Sequence, residues 1–181
     1  MAEKTSAKTT KKKAQSGAQS TKGYVGTMGE HFVMAELMAR GFNVARAVVD
    51  EGVDVIAFKP ENPQKLYRIQ VKTSATTSGG SKTSRKYLFS LKQAAYKKAS
   101  GQDYYLILVI RDSKDNSFVS AVIPKAIFDD YIADKDVIDW SESKQSFQIG
   151  VHLHNDGKLT LKNKKGKDIT DKTKNRWDRI N

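Results

Sequence analysis

Asp54, Gln70 and Lys72 could do chemistry if the fold brought them together. Side chains alternate along a strand, so in Gln70-Val71-Lys72 the amide and the ammonium share a face and Val71 takes the other. If the strand holding Asp54 pairs with the strand holding Gln70 and Lys72, a carboxylate, an amide oxygen and an ammonium meet at one edge of a sheet. Oxygen ligands of this kind suit Mg²⁺, which polarises a phosphate and acidifies a bound water. An ammonium beside them would offset the charge that develops as a phosphodiester is hydrolysed. Glu30, on a helix read from Thr27 to Arg40, is placed to add a second carboxylate. The bland alternative is a cross-strand Asp54–Lys72 ion pair worth about 0.2–1 kcal/mol, with Glu30 and Gln70 as surface residues.

The elements that must position these residues follow from periodicity. Met28, Phe32, Val33, Met34, Leu37 and Met38 recur at helical spacing, with Thr27 as N-cap and Gly41 past the end. Phe42 to Val49, Val53 to Phe58 and Leu66 to Lys72 read as three strands in a meander. Thr73 to Thr83, rich in Ser, Thr and Gly, reads as a mobile loop. Tyr87 to Leu91 then reads as a short strand and Lys92 to Ala99 as a helix stopped by Gly101. The unbroken apolar run Tyr104 to Ile110 suits a strand buried on both faces. Phe118 to Ile123 is a further strand, and Pro124 opens a helix to about Ile132. Phe147 to Leu153 and Lys158 to Leu161 form a hairpin turned at Asn155-Asp156-Gly157. The expected class is α/β, with a central mixed sheet flanked by helices and a C-terminal β-hairpin.

Gly29-Glu30-His31-Phe32, the strand Gly52-Val53-Asp54-Val55-Ile56-Ala57 and Ile69-Gln70-Val71-Lys72-Thr73 together resemble the PD-(D/E)xK nuclease superfamily. The resemblance spans roughly residues 24 to 132 and implies the restriction-endonuclease-like core, in the order α-β-β-β-α-β. It implies that Asp54 is the metal-binding aspartate, Lys72 the catalytic lysine and Glu30 the acid of the first helix. Gln70 stands where the superfamily usually has Asp or Glu, a QxK variant carried by some of its lineages. An amide oxygen is a weaker ligand than a carboxylate for a hard dication, so Glu30 or the substrate phosphate must supply the missing charge. The proline of the motif has no counterpart, and Gly52 stands two residues before Asp54. Gln93 and Tyr96 resemble a Gln-Tyr pair of one branch at a separation of three rather than four. What the resemblance implies is a Mg²⁺-dependent DNA endonuclease, with Mn²⁺ as substitute, acting as a homodimer or other even oligomer. Its rivals are a DNA-binding module with a degenerate site and an RNA-associated basic protein.

Charge and composition agree with a polyanion partner. The 181 residues carry a formal charge of +12 and no cysteine, which excludes a disulfide scaffold and a thiolate zinc site. Residues 1–22 have a net charge of +5 and 158–181 a net charge of +6, so the middle is close to neutral. Within it, Asn62 to Gln102 has nine basic residues and no acid, whereas Asp112 to Glu142 has eight acids and three lysines. Lys82, Arg85 and Lys86 flank the loop after the candidate site and are placed for phosphate contacts that position DNA without reading it. Tyr67, Tyr87 and Tyr96 interleave with that stretch and are candidates for stacking on bases. His152 and His154 share a strand face but lack partners for a metal site; His31 points about 100° away from Glu30 around the helix. Trp177, alone in a polar tail, is expected to dock on the domain or on a second subunit. The longest apolar run is seven residues, where a membrane span needs about twenty. No apolar stretch follows the Lys-rich N-terminus to make a signal peptide. The expected plan is a disordered basic tail over 1–22, a nuclease-like domain over 23–162 and a basic tail over 163–181, in a cytoplasmic or nucleoid-associated protein.

Overall fold

A computed structural model describes residues 16–48, 52–98, 101, 103–112, 114–162 and 166–180, with 16–22 as backbone only. The first helix, α1 (Ser16–Met38), buries Val33 and Leu37. It ends where expected: Gly41 takes φ +80°, and the Phe42 N–H returns to the Leu37 carbonyl at 3.1 Å, the closure that a glycine past the helix end permits. Its start is a correction, because it runs back to Ser16 and Thr27 lies inside it rather than capping it. Gly17, Gly23 and Gly26 each lower intrinsic helicity by about 1 kcal/mol, so apolar periodicity shows only from Thr27 onward. Residues 1–15 of the expected tail lie outside the described residues.

The meander is present as β1 (Asn43–Arg46), β2 (Val55–Lys59) and β3 (Asn62–Ser74), joined antiparallel. After β4 (Gly80–Ser81), β5 (Ser84–Lys92) and α2 (Gln93–Lys98) come β6 (Tyr104–Arg111) and β7 (Phe118–Pro124). β6 lies parallel to β3, with Gln70 opposite Leu106 and Lys72 opposite Leu108, and it pairs antiparallel with β7. The sheet order β1-β2-β3-β6-β7, with α1 before the meander and α2 in the crossover, is the expected restriction-endonuclease-like core. α3 (Lys125–Ala133) starts directly after Pro124.

A second sheet covers the other face of this core. β8 (Asp139–Ser141), β9 (Ser146–His154), β10 (Leu159–Lys162) and β11 (Gly166–Asp168) join β5 and β4, with β9 at the centre. The C-terminal hairpin is therefore not an appendage. β5 runs the length of β9 from Ser84 opposite His154 to Lys92 opposite Ser146. Two apolar layers result. Val33, Leu37, Val55, Ile69, Val71 and Ile107 lie between α1 and the first sheet. Leu106, Leu108, Tyr87, Phe89, Ile149 and Val151 lie between the two sheets.

The expected basic tail from residue 163 is corrected over 166–180. Ile169, Thr173, Trp177 and Ile180 are buried there, in β11, α4 (Thr170–Thr173) and a 3₁₀ turn over Trp177–Arg179. Asn175 accepts from the Ser120 N–H at 3.1 Å and from its hydroxyl at 2.9 Å, and Tyr105 donates to the Arg179 carbonyl at 2.7 Å. Trp177 meets Phe32 edge-on at 6.2 Å, with the Arg40 guanidinium 5.4 Å from its ring. Among the described residues, no helix is long and apolar enough to cross a membrane. Truncating a buried aromatic to Ala removes about 3–5 kcal/mol. Trp177→Ala should lose that much in urea unfolding; a loss below about 0.5 kcal/mol, the range of a surface change, would show that this segment is a tail after all.

Candidate active site

Asp54 lies one residue before β2 rather than inside it, but the ladder continues through it. Its N–H donates to the Ile69 carbonyl at 2.8 Å, and its own carbonyl accepts from the Ala47 N–H at 2.9 Å. Val55 pairs with Ile69, so Asp54 comes level with Gln70. The Gln70 amide Nε2 and the Val71 N–H both donate to Asp54 Oδ2, each at 2.6 Å. Nitrogen must face the carboxylate, since an amide oxygen there would set acceptor against acceptor. Gln70 is 0% exposed, and its Oε1 is a buried acceptor with no hydrogen-bond partner. Lys72 lies two residues along the same face and is half-buried. No hydrogen bond or ion pair among the described residues engages its ammonium.

Glu30 reaches the site from α1. It shares a cavity of about 180 Å³ with Asp54, Arg46, Ala47, Val48 and Val53. The depth of this approach depends on Gly29, where a Cβ would come 1.8 Å from the Thr73 hydroxyl. Only the missing side chain lets the helix sit that close to β3. Glu30 Oε2 pairs with Arg46 Nε at 2.7 Å, with Arg46 half-exposed. Only 17% of the Glu30 side chain is exposed, and Arg46 holds its carboxylate at the end of β1.

Asp54 bonds Gln70 and shares a cavity with Glu30, and Gln70 adds one buried, unmet amide oxygen; oxygen donors of these types are the kind that a hard divalent cation such as Mg²⁺ takes. They supply two carboxylates rather than three; among the described residues, no group of three or more His, Cys, Asp or Glu stands together.

Two supporting residues carry no motif. Tyr104, buried at the start of β6, donates to the Gly52 carbonyl at 3.2 Å. Burial, with a smaller contribution from the Asp54 carboxylate, pushes its phenol well above the ordinary range. Gly52 has φ +88°, and a Cβ there would lie 2.8 Å from the Ala95 carbonyl of α2. The residues leading into Asp54 are thus held between α2 and β6. Arg46, the partner of Glu30, pairs with Val55 across β1 and β2. Both roles depend on strand register, which no local pattern signals.

The other expected site residues are dispersed. Arg85 turns inward, pairing with Asp112 at 2.7 Å and donating to Asn155 at 2.9 Å. Lys82 is exposed at the β4–β5 turn, and Lys86 lies on the outer face of β5. Tyr67 and Tyr87 are buried in the two cores. Tyr96 donates to Asp129 and lies under the Lys125 ammonium, 4.4 Å from its ring. His31 is exposed.

No protein-family model and no curated protein sequence matches the chain. Its structure is similar to that of a bacterial homing endonuclease, at 18% identity and a TM-score of 0.41, over 59% of this chain and 67% of that one. It is also similar to a Holliday junction resolvase from Archaeoglobus fulgidus, an archaeal hyperthermophile. That likeness has 15% identity and a TM-score of 0.40, over 81% of this chain and 93% of the resolvase. Similarity at this level assigns no residue a role.

The Asp54–Gln70 contact generates a test. Gln70→Glu would set a carboxylate against Asp54 Oδ2 and remove a charge-assisted bond, destabilising the metal-free protein by about 1–3 kcal/mol. In thermal melts, Mg²⁺ should raise the midpoint of Gln70→Glu more than that of the parent. Equal midpoints in EDTA would show that the contact does not hold this edge together.

Proposed function

We propose that the chain is a divalent-metal-dependent endodeoxyribonuclease. The observation that carries this reading is the Asp54–Gln70 pair, with an unmet buried oxygen beside a carboxylate and the Lys72 ammonium on the same face. Mg²⁺, or Mn²⁺ in its place, held by Asp54, Gln70 Oε1 and Glu30, would polarise the phosphate and lower the pKa of a bound water. Val71 N–H and Gln70 Nε2 fix the Asp54 carboxylate so that no reorganisation is needed when substrate arrives. Lys72 places a positive charge where negative charge grows on the phosphate oxygens. Tyr104, through the Gly52 carbonyl, holds the approach to Asp54. Gly29 sets how far Glu30 enters.

The formal charge of +12 supports a polyanionic substrate and gives binding a salt-sensitive, sequence-independent component. A duplex has two strands to cut, which favours an even homo-oligomer acting on DNA inside the cell. The second reading, a DNA-binding module without hydrolysis, is favoured by the neutral Gln70 and by the Glu30–Arg46 pair, which between them leave Asp54 short of charge.

Supercoiled plasmid and a branched duplex, incubated with Mg²⁺, Mn²⁺ or EDTA, separate the two readings. Metal-dependent nicking is expected in the parent. Lys72→Ala should slow it by about 10²-fold or more while retaining duplex binding, and Asp54→Ala should abolish it. Binding without cutting in the parent would move the assignment to the non-catalytic module, and cutting undiminished in both variants would remove the site.

A further inference from the structure

Alternation sorts the second sheet into two faces. Tyr87, Phe89, Ile149, Val151, Leu159 and Leu161 face the core. The residues between them face outward, so Lys86 and Leu88 of β5, Gly150, His152 and His154 of β9, and Thr160 and Lys162 of β10 share one surface. Register sets Lys86 opposite His152, and His152 opposite Thr160. Gly150 lies in the middle of this surface, where the neighbouring strands leave no room for a side chain. A Cβ there would lie 2.8 Å from the Lys162 carbonyl and 3.3 Å from Lys86 Cε, so the two lysine-bearing strands close in from either side. Leu88 is 48% exposed beside it. Register places two carboxylates on this face: Asp139, exposed opposite Gln148, and Asp168, opposite Thr160 and occupied by the Thr170 hydroxyl at 2.6 Å and N–H at 2.9 Å.

The face reaches the end of β3, just beyond Lys72. A cavity of about 470 Å³ joins Leu88 and Ser90 to Thr73 and Ser74, the residues that follow Lys72 at the end of β3. A strand of phosphates leaving Lys72 would pass over this cavity onto the outer sheet face.

We infer that the outer face of the second sheet is a separate, non-catalytic surface for the phosphate backbone of duplex DNA, with Lys86, Lys162 and His152 as its contacts. The inference rests on the substrate proposed above and not on the hydrolytic chemistry. Partial burial, and then Lys86, Lys162 and His154, hold the His152 imidazole below its ordinary range, so the free protein presents it neutral at pH 7 to 8. A phosphate beside it favours the imidazolium, so binding takes up a proton and tightens as pH falls. The other charged groups facing this pair are Asp168 and Lys158, beside His154. Asp168 is held ionised below its usual range by the Thr170 hydroxyl. His154 itself bonds Thr160 at 2.8 Å, and His152 lies 3.4 Å from the Ser84 hydroxyl.

The test is duplex binding by the full chain in EDTA, followed by anisotropy of a short labelled duplex over a salt series and between about pH 8 and pH 6, the range of histidine titration. Lys86→Ala/Lys162→Ala should bind about ten-fold more weakly, with a salt slope shallower by about two. Lys86→Arg/Lys162→Arg should restore both. The parent should tighten towards pH 6, and His152→Gln should lose most of that tightening. An alanine pair that keeps the parent affinity and slope overturns the inference, and so does a preference for RNA over duplex DNA. Because cutting is silent in EDTA, failure here leaves the nuclease reading standing, and loss of plasmid cutting leaves this surface standing.

Discussion

One oxygen, Asp54 Oδ2, holds two strands and two chemical groups in place. It receives the Gln70 amide and the Val71 N–H, each at 2.6 Å. A partly buried carboxylate is tolerable only with such donors, and bonds to an ionised acceptor are about twice as strong as neutral ones. The bonds also decide what Gln70 can do. With Nε2 committed to Asp54, the amide oxygen must turn elsewhere, and it is left buried without a donor. The same pairing brings the start of β2 level with Gln70 and leaves Lys72 two residues away on the same face.

Seen this way, glutamine in place of an acid is more than a missing charge. A glutamate at position 70 would face Asp54 as a like charge and would need a cation to hold the edge closed. The amide instead donates to Asp54 and keeps the site assembled without metal. Under the proposed function the weaker metal ligand would therefore also be the better organiser of the site before a cation binds, and the charge it lacks would have to come from Glu30 or the substrate phosphate. That carboxylate reaches the site because Gly29 lets α1 settle against Thr73.

The core of this arrangement was legible in local patterns. Alternation around Val71 and the meander around Gly52 sufficed to join Asp54, Gln70 and Lys72, and the unbroken run Tyr104 to Ile110 marked a strand buried on both faces. Gly41, Pro124 and the turn at Asn155-Asp156-Gly157 marked element ends because their chemistry is local. The second sheet was not legible, since nothing near β5 signals that its partner β9 lies some sixty residues on. Arg85 shows the consequence. In a basic run it reads as a phosphate ligand, but it has the same parity as Tyr87, Phe89 and Leu91. Once β5 is a sheet strand it must face the core, where Asp112 neutralises it. The C-terminal charge misled similarly, because the five Lys and Arg residues of 166–180 outnumber the four buried residues that fasten it to the domain.

The distance between β5 and β9 also matters while the chain is being made. Asp54 and Gln70 can meet as soon as the β2–β3 hairpin has left the ribosome. β5, in contrast, must wait for β9, with Tyr87, Phe89 and Leu91 ready to pair with any strand that passes. Such waiting edges are where nascent chains aggregate. Here the waiting strand carries Arg85 and Lys86 near its start and Lys92 at its end, charged gatekeepers that discourage pairing with the wrong neighbour. The lysines of this strand therefore serve the protein before it has a surface to present.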